Sequence, residues 1–392
     1  MKKETLLATL GCQPTPHSGV VNFPPHRAST ILYPSLAELR AAETAKVPEA
    51  TYGRYGTPST RALEEALAKL EGTDHAIVTA SGMSAIVAAL MTYLESGDHL
   101  LMVDSAYGPT RRFCDHVLKR AGVETTYYDP TIGAGIEALI QDNTKVVYLE
   151  SPGSLTFEVQ DVPAIAKAAH AKNITVIGDN TWGTFLHYKP FELGIDVSIH
   201  SVTKYIAGHS DLVMGCITCN ADRYRDLLLN YRSLGACPTG DNCYMVLRGL
   251  RTMEVRMERQ FKNALKVAEW LKEQPAVEEV LYPALPGAPG HDLWKRDFTG
   301  GASLFAIAMK GGDMNAVAAM VDDLKLFGIG YSWGGFESLI MPNNLEKSRT
   351  ASTWDYSGPG IRIHIGLEHP DDLITDLKAG LERYQNALAS AA

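Results

Sequence analysis

The sequence predicts an α/β protein. It should have a mainly parallel central sheet with helices on both faces, a smaller C-terminal α/β domain and an extended N-terminal arm. Three observations lead there. Short apolar runs alternate with helical patterns as far as residue 215, the mark of parallel strands joined by crossover helices. Beyond residue 215 the pattern changes to long helical stretches followed by separated apolar runs. The first 54 residues carry Pro14, Pro16, Pro24, Pro25 and Pro34, which break up regular structure.

Taken in order, residues 1–54 hold one helical stretch, 36–44, and otherwise read as an arm. Alone it buries little, so it is expected to lie on another subunit. Residues 55–250 then form the main domain and 251–392 the C-terminal one. In 59–71, Leu63, Ala66, Leu67 and Leu70 share one helical face. A strand at 75–79 runs through Ala80-Ser81-Gly82-Met83-Ser84 into a helix at 85–94. That order turns backbone N–H groups towards an anion. A strand at 100–103 exits into Asp104-Ser105-Ala106-Tyr107, and one at 145–150 exits into Ser151-Pro152-Gly153-Ser154. A helix at 163–171 leads to a buried strand at 175–178, and 197–199 is a further short strand. Residues 224–234 and 243–273 read as helical. Arg248, Arg251, Arg256 and Arg259 with Glu254 and Glu258 suggest a solvated or interface face there. Strands at 302–309 and 362–367, with helices at 315–324 and 370–388, are expected to build the smaller sheet, which should be antiparallel.

The chemistry concentrates in GDNTWGTFLHYKPFELGIDVSIHSVTKYIAGHSDLVMG, residues 178–215. Asp179 ends a buried strand, at the sheet edge where open α/β proteins bind ligands. Lys204 lies between hydroxyl residues and a glycine turn. One chemistry needs both. Pyridoxal 5'-phosphate forms a Schiff base with a lysine, and a carboxylate keeps its ring nitrogen protonated so that the ring acts as an electron sink. Ser201 and Thr203 stand beside the lysine, where hydroxyls can reach the phosphate. Arg362, in a buried-strand pattern, needs an anionic partner, and an amino-acid α-carboxylate held by a bidentate pair meets that need.

The motifs DNTWGT and SVTKYIAGHSD resemble the Cys/Met-metabolism family of pyridoxal-phosphate enzymes, and the resemblance runs from about residue 5 to the C-terminus. It implies the aspartate-aminotransferase-like fold type I, with seven strands in the central sheet. It implies that Lys204, Asp179 and Tyr107 are catalytic. Gly82 and Met83 match the positions whose amides bind the phosphate. Tyr107 matches the tyrosine stacked on the ring. Tyr52 and Arg54 match the arm motif that reaches a neighbour's site, and Tyr52 also meets the substrate there. Arg362 matches the carboxylate-binding arginine, with His364 as a packed neighbour. Ser154 falls where many members carry an asparagine that contacts the ring hydroxyl.

In Tyr331-Ser332-Trp333-Gly334-Gly335 the γ-acting subgroups tend to read Glu-Ser-Leu-Gly-Gly, so Tyr331 and Trp333 resemble the β-eliminating subgroup. Ser332 looks placed to hold the lysine. The resemblance thus implies β-elimination of L-cystathionine to homocysteine, pyruvate and ammonia, within methionine biosynthesis. A γ-acting relative is the alternative, and a non-catalytic binding protein on this fold a distant one. A homotetramer of dimers that share active sites is implied as well.

Composition is ordinary for a soluble globular enzyme. A formal net charge of −9 argues against non-specific nucleic-acid binding. No apolar run reaches bilayer length, and the N-terminus lacks a secretory pattern, so cytoplasm is the expected location and no membrane partner is expected. The six cysteines are too sparse for a disulfide scaffold. Cys216 and Cys219 form a C-x-x-C without the further ligands that structural zinc needs, so no metal is expected.

Overall fold

Seven short strands form the central sheet of the computed structural model, which describes residues 1–12, 19–45, 49–343, 345 and 349–391. They are β1 (His75–Thr79), β2 (His99–Val103), β3 (Glu124–Tyr128), β4 (Thr144–Glu150), β5 (Thr175–Asp179), β6 (Val197–His200) and β7 (Gly215–Cys219). Their order is β1-β7-β6-β5-β4-β2-β3. All neighbours are parallel except β7, which runs antiparallel to both β1 and β6. β2 and β4 are buried along nearly their whole length, as strands covered on both faces must be.

The flanking helices start and stop where local chemistry dictates. Pro58–Glu71 begins with proline behind a Thr57 capping box and ends at Gly72, whose φ of 86° is the left-handed stop. Gly82–Tyr93 begins with a Ser81–Ser84 capping box. The long helical region after residue 240 is two helices, Gly240–Leu250 and Met253–Lys272, broken at Arg251 and Thr252.

The second sheet contains β8 (Val277–Leu281), β9 (Leu304–Met309), β10 (Gly328–Ile329), β11 (Leu339–Asn343) and β12 (Gly360–His364), in the order β10-β11-β12-β9-β8. It is antiparallel except between β10 and β11. Helices Met314–Val321 and Pro370–Ala391 pack on each other beside it.

Two sequence readings change. Residues 3–9 form a helix whose Leu7 is buried, and Arg251 donates to the Leu7 carbonyl at 2.6 Å, so this stretch packs on its own chain. Pro14 and Pro16 lie outside the described residues. Arg256 is not solvated: it is buried, and its Nη2 donates to the carbonyls of Tyr205 and Gly249 at 3.0 and 3.1 Å. Cys216 and Cys219 lie on opposite faces of β7, each in a different apolar cluster, because an odd spacing alternates sides along a strand.

One carboxylate joins the sheet edge to the segment after β11. Asp104, one residue beyond β2, accepts the N–H groups of Thr350, Ala351 and Ser352 at 3.0, 3.0 and 2.9 Å, and pairs with Arg111 at 2.7 Å. Burial opposes ionisation, but Arg111, the Ser352 hydroxyl and the Thr350 and Ala351 amides outweigh it and hold the carboxyl below its ordinary range. Replacing Asp104 by Ala strands three amides and an arginine. The expected loss is about 3 kcal/mol in urea unfolding at pH 7. Because the folded-state pKa is depressed, this contribution is present above about pH 4 and fades as pH falls through the folded value. A wild-type urea midpoint for Asp104→Ala would show that the clip carries no stability.

Candidate active site

Strands β2, β4, β5 and β6 run in the same direction and end at the same edge. Tyr107, Glu150, Asp179 and the Ser201–Lys204 turn therefore line one row, where such sheets bind ligands.

The lysine turn is tightly built. Lys204 N–H donates to the Ser201 carbonyl at 3.1 Å, and Gly208 N–H donates to the Lys204 carbonyl at 2.8 Å. Gly208 has a φ of 71°, and a Cβ there would meet the buried Arg256 guanidinium at 1.8 Å. The Lys204 Nζ donates to Ser332 Oγ at 2.6 Å and lies 5.1 Å from the Trp333 ring centroid. Ser332 holds a φ of 74°, a strained value for a residue with a Cβ. Burial, helped by nearby Arg362 and opposed by Asp179, pushes the Lys204 amine down to about 8.

Asp179 Oδ1 accepts the Thr181 N–H at 2.9 Å, and no cation among the described residues reaches ion-pair distance of it. Burial raises its pKa, against Thr181, His200 and Lys204. Arg362 is the mirror case. It is 9% exposed, and its Nη2 donates to the carbonyls of Gly330 and Ser332 at 3.3 and 3.1 Å without a carboxylate partner among the described residues. Burial lowers its pKa. Tyr107 is 45% exposed, and burial of the rest of it raises the phenol's pKa, so it stays protonated.

The phosphate-type cradle is present too. A Cβ on Gly82 would meet Ser201 Cβ at 2.8 Å, so glycine is what lets the helix start approach the lysine turn. The Gly82 and Met83 amides lie in the first turn, where no intrahelical acceptor exists, and they find none elsewhere among the described residues. The Ser201 hydroxyl makes no hydrogen bond among the described residues. The Thr203 hydroxyl donates to the Met214 carbonyl and accepts its N–H, both at 3.0 Å, so its proton is committed to holding the loop.

Other expected residues separate. Tyr331 is 83% exposed at the mouth. Tyr52 and Arg54 contact Tyr55 and the Arg232 carbonyl and touch none of the groups above. Ser154 holds its loop through its backbone, donating N–H to the Ser105 carbonyl at 2.7 Å. His364 bridges Gly334 N–H (3.0 Å) and the Glu337 carbonyl (3.0 Å), which assigns the proton to Nδ1; burial pushes it down to about 3.

Sequence reasoning gave no role to Glu150, which accepts the Tyr107 N–H at 2.7 Å. It also missed Arg349, which donates to Thr156 and the Ser154 carbonyl. The position of Glu150 at a strand's C-terminal end was a usable signal; nothing local marks Arg349.

A low-pKa lysine, a partly buried carboxylate without a cation and an arginine without an anion among the described residues, and an amide cradle would suit a phosphorylated, cationic-ring aldehyde and an amino acid. The chain belongs to the Cys/Met metabolism PLP-dependent enzyme family, whose profile matches residues 4–382. It is 42% identical over 389 residues to the Escherichia coli cystathionine beta-lyase MetC, covering 97% of this chain and 98% of that one. It is 40% identical over 395 residues to a Wolbachia pipientis L-alanine/L-glutamate racemase, covering 98% of each. Among solved structures, cystathionine gamma synthase from Xanthomonas oryzae pv. oryzae, in complex with aminoacrylate and cysteine, superposes with a TM-score of 0.89 at 30% identity, covering 98% of this chain and 99% of that one. No described helix is long and apolar enough to cross a membrane.

The lowered lysine pKa has a kinetic signature. Only the neutral amine attacks an aldehyde. Uptake of pyridoxal phosphate by apoprotein, followed by stopped-flow absorbance, should therefore rise about tenfold per pH unit up to about 8 and level off above it. A midpoint near that of free lysine, about 10.4, would mean the site does not depress the amine.

Proposed function

We propose that this protein is a pyridoxal-phosphate-dependent carbon–sulfur lyase that cleaves L-cystathionine by β-elimination to homocysteine, pyruvate and ammonia. The observation that carries the reading is the low-pKa Lys204 amine held by Ser332, with Asp179 and Arg362 both near enough to act on it.

Pyridoxal phosphate, when bound, supplies an electron sink for negative charge developing at the substrate Cα. The residues present fit it. Lys204 would hold it covalently, Asp179 would pair with the ring nitrogen, and Gly82, Met83 and Ser201 would take the phosphate. Tyr107 would lie on the ring. Thr203 supports the cradle by fixing Met214. Tyr52 and Arg54 would complete the site of a second copy, in a homotetramer of dimers that share active sites. In this reading residues 1–54 are the arm, 55–250 the cofactor-binding domain and 251–392 the C-terminal domain. The enzyme works in the cytoplasm.

The chain's own groups then divide the work. Arg362 grips the α-carboxylate and orients the Cα–H bond. Neutral Lys204 accepts the Cα proton, and Ser332 fixes the amine from which it acts. Tyr107, kept as a phenol, donates a proton to the sulfur as the Cβ–S bond breaks. Tyr331 and Trp333 would face the distal half of the substrate.

Purified, cofactor-loaded protein with L-cystathionine should yield pyruvate and homocysteine. 2-Oxobutyrate with cysteine would replace this reading by a γ-lyase. D-alanine from L-alanine, without keto acid, would favour a racemase. Arg362→Leu should lower kcat/KM about 10–100-fold, since a charge-assisted pair to the substrate is lost. An unchanged kcat/KM would move the carboxylate site elsewhere. Lys204→Ala should abolish turnover, and near-normal activity would sink the mechanism.

A further inference from the structure

Glu150 and Asp179 are register partners on adjacent parallel strands. Residues so paired point to the same face, with their Cβ atoms about 5 Å apart. Neither reaches a cation among the described residues. Two carboxylates this close, both partly withdrawn from water, do not readily both ionise. Their surroundings decide which keeps the charge. Asp179 has the Thr181 N–H and hydroxyl and the fields of His200 and Lys204. Glu150 has one N–H, from Tyr107, and the more remote field of Arg349; Tyr148, also buried beside it, brings no charge. Burial and the Asp179 charge together drive Glu150 towards its neutral form.

A neutral carboxyl still accepts a hydrogen bond. The one that Glu150 accepts comes from the backbone of Tyr107, at 2.7 Å. The Tyr107 hydroxyl makes no hydrogen bond among the described residues, so the ring's position is set where its backbone is held.

We propose that Glu150 is a positioning residue: uncharged, it pins the Tyr107 backbone so that the phenol lies over the cofactor ring, and it leaves Asp179 as the single negative charge facing the ring nitrogen. This rests on the reading of Tyr107 as the ring-stacking residue. A charged Glu150 would place a second anion beside Asp179 and compete for the same cation. A residue with no acceptor would free the Tyr107 N–H and let the ring drift.

The test is a double-mutant cycle. Glu150→Leu, Glu150→Gln, Tyr107→Ala and Tyr107→Ala combined with Glu150→Leu are loaded with pyridoxal phosphate. Visible-region circular dichroism of the bound cofactor, cofactor affinity of the apoprotein, and kcat are measured on each. Glu150→Leu should change the dichroism and lower kcat about tenfold. Glu150→Gln, which keeps an uncharged acceptor, should restore most of both. Adding Glu150→Leu to Tyr107→Ala should change neither further, because a residue acting through another has nothing left to act on. Additive losses in the double variant would overturn the proposal. So would a Gln variant as damaged as the Leu variant, since that would mean the charge is needed. The dichroism and affinity do not depend on the substrate, so a protein that fails to cleave cystathionine would still answer this question.

Discussion

Everything in the site depends on bringing the pKa of one amine down towards neutrality while surrounding it with charges. The Lys204 amine meets Ser332, a residue of the loop between β10 and β11, across the junction of the two sheets. Burial does most of the lowering and Arg362 adds to it. Asp179 pulls the other way, so the amine cannot be moved towards the acid without losing its nucleophilicity. Its place must come from packing. Arg256 supplies that packing from below by gripping the Tyr205 carbonyl, and Gly208 is glycine because the guanidinium occupies the space of a Cβ. From above, Gly334 allows the Ser332 loop to close on the lysine backbone, since a Cβ there would fall 2.8 Å from the Tyr205 nitrogen.

The same site holds Asp179, Glu150 and Arg362, largely withdrawn from water, without opposite charges among the described residues. Leaving a charge buried and unpaired costs several kcal/mol. Such groups cluster where a ligand supplies the missing partner. Asp179 matches a protonated ring nitrogen, Arg362 matches a carboxylate, and the amides of Gly82 and Met83 match a phosphate. The groups thus describe their ligands by complement, one anion, one cation and one more anion arranged around an amine. Glu150 does not fit this scheme, because it adds a like charge rather than awaiting an opposite one. Protonation resolves that conflict.

What was legible in the sequence was what is local. β1 and the 36–44 helix fall where their apolar patterns put them, and Asp179 and Lys204 carry their chemistry in adjoining motifs. β3 was missed because Glu124-Thr-Thr-Tyr-Tyr has little apolar alternation on this edge strand. Arg256 was misread because charge dominated its neighbourhood. Yet it shares the buried face of Met253 and Gln260, at helical spacings of three and four, which was a usable signal. The Asp104 clip was illegible in principle. Its partners lie about 250 residues away, in a segment with no periodicity. Arg349 belongs to that same segment and is placed by the same clip.

In the proposed mechanism, removal of a sulfur from Cβ and from Cγ differ in how far the base must travel. Elimination at Cβ needs one proton taken, at Cα. Elimination at Cγ needs the base to reach Cβ as well. In this chain the amine that would have to travel is fixed at 2.6 Å to Ser332 and is faced by the Trp333 indole. The indole is itself wedged, 5.4 Å from the buried Tyr205 ring. A bulky aromatic backed by the lysine's own neighbour narrows the space through which Nζ could swing. Tyr331, by contrast, is exposed and touches the amine at no point, so it bears on what the mouth admits and not on where the base goes. In the proposed reading, β-specificity would rest on Trp333 more than on Tyr331, although the sequence made the two look equivalent.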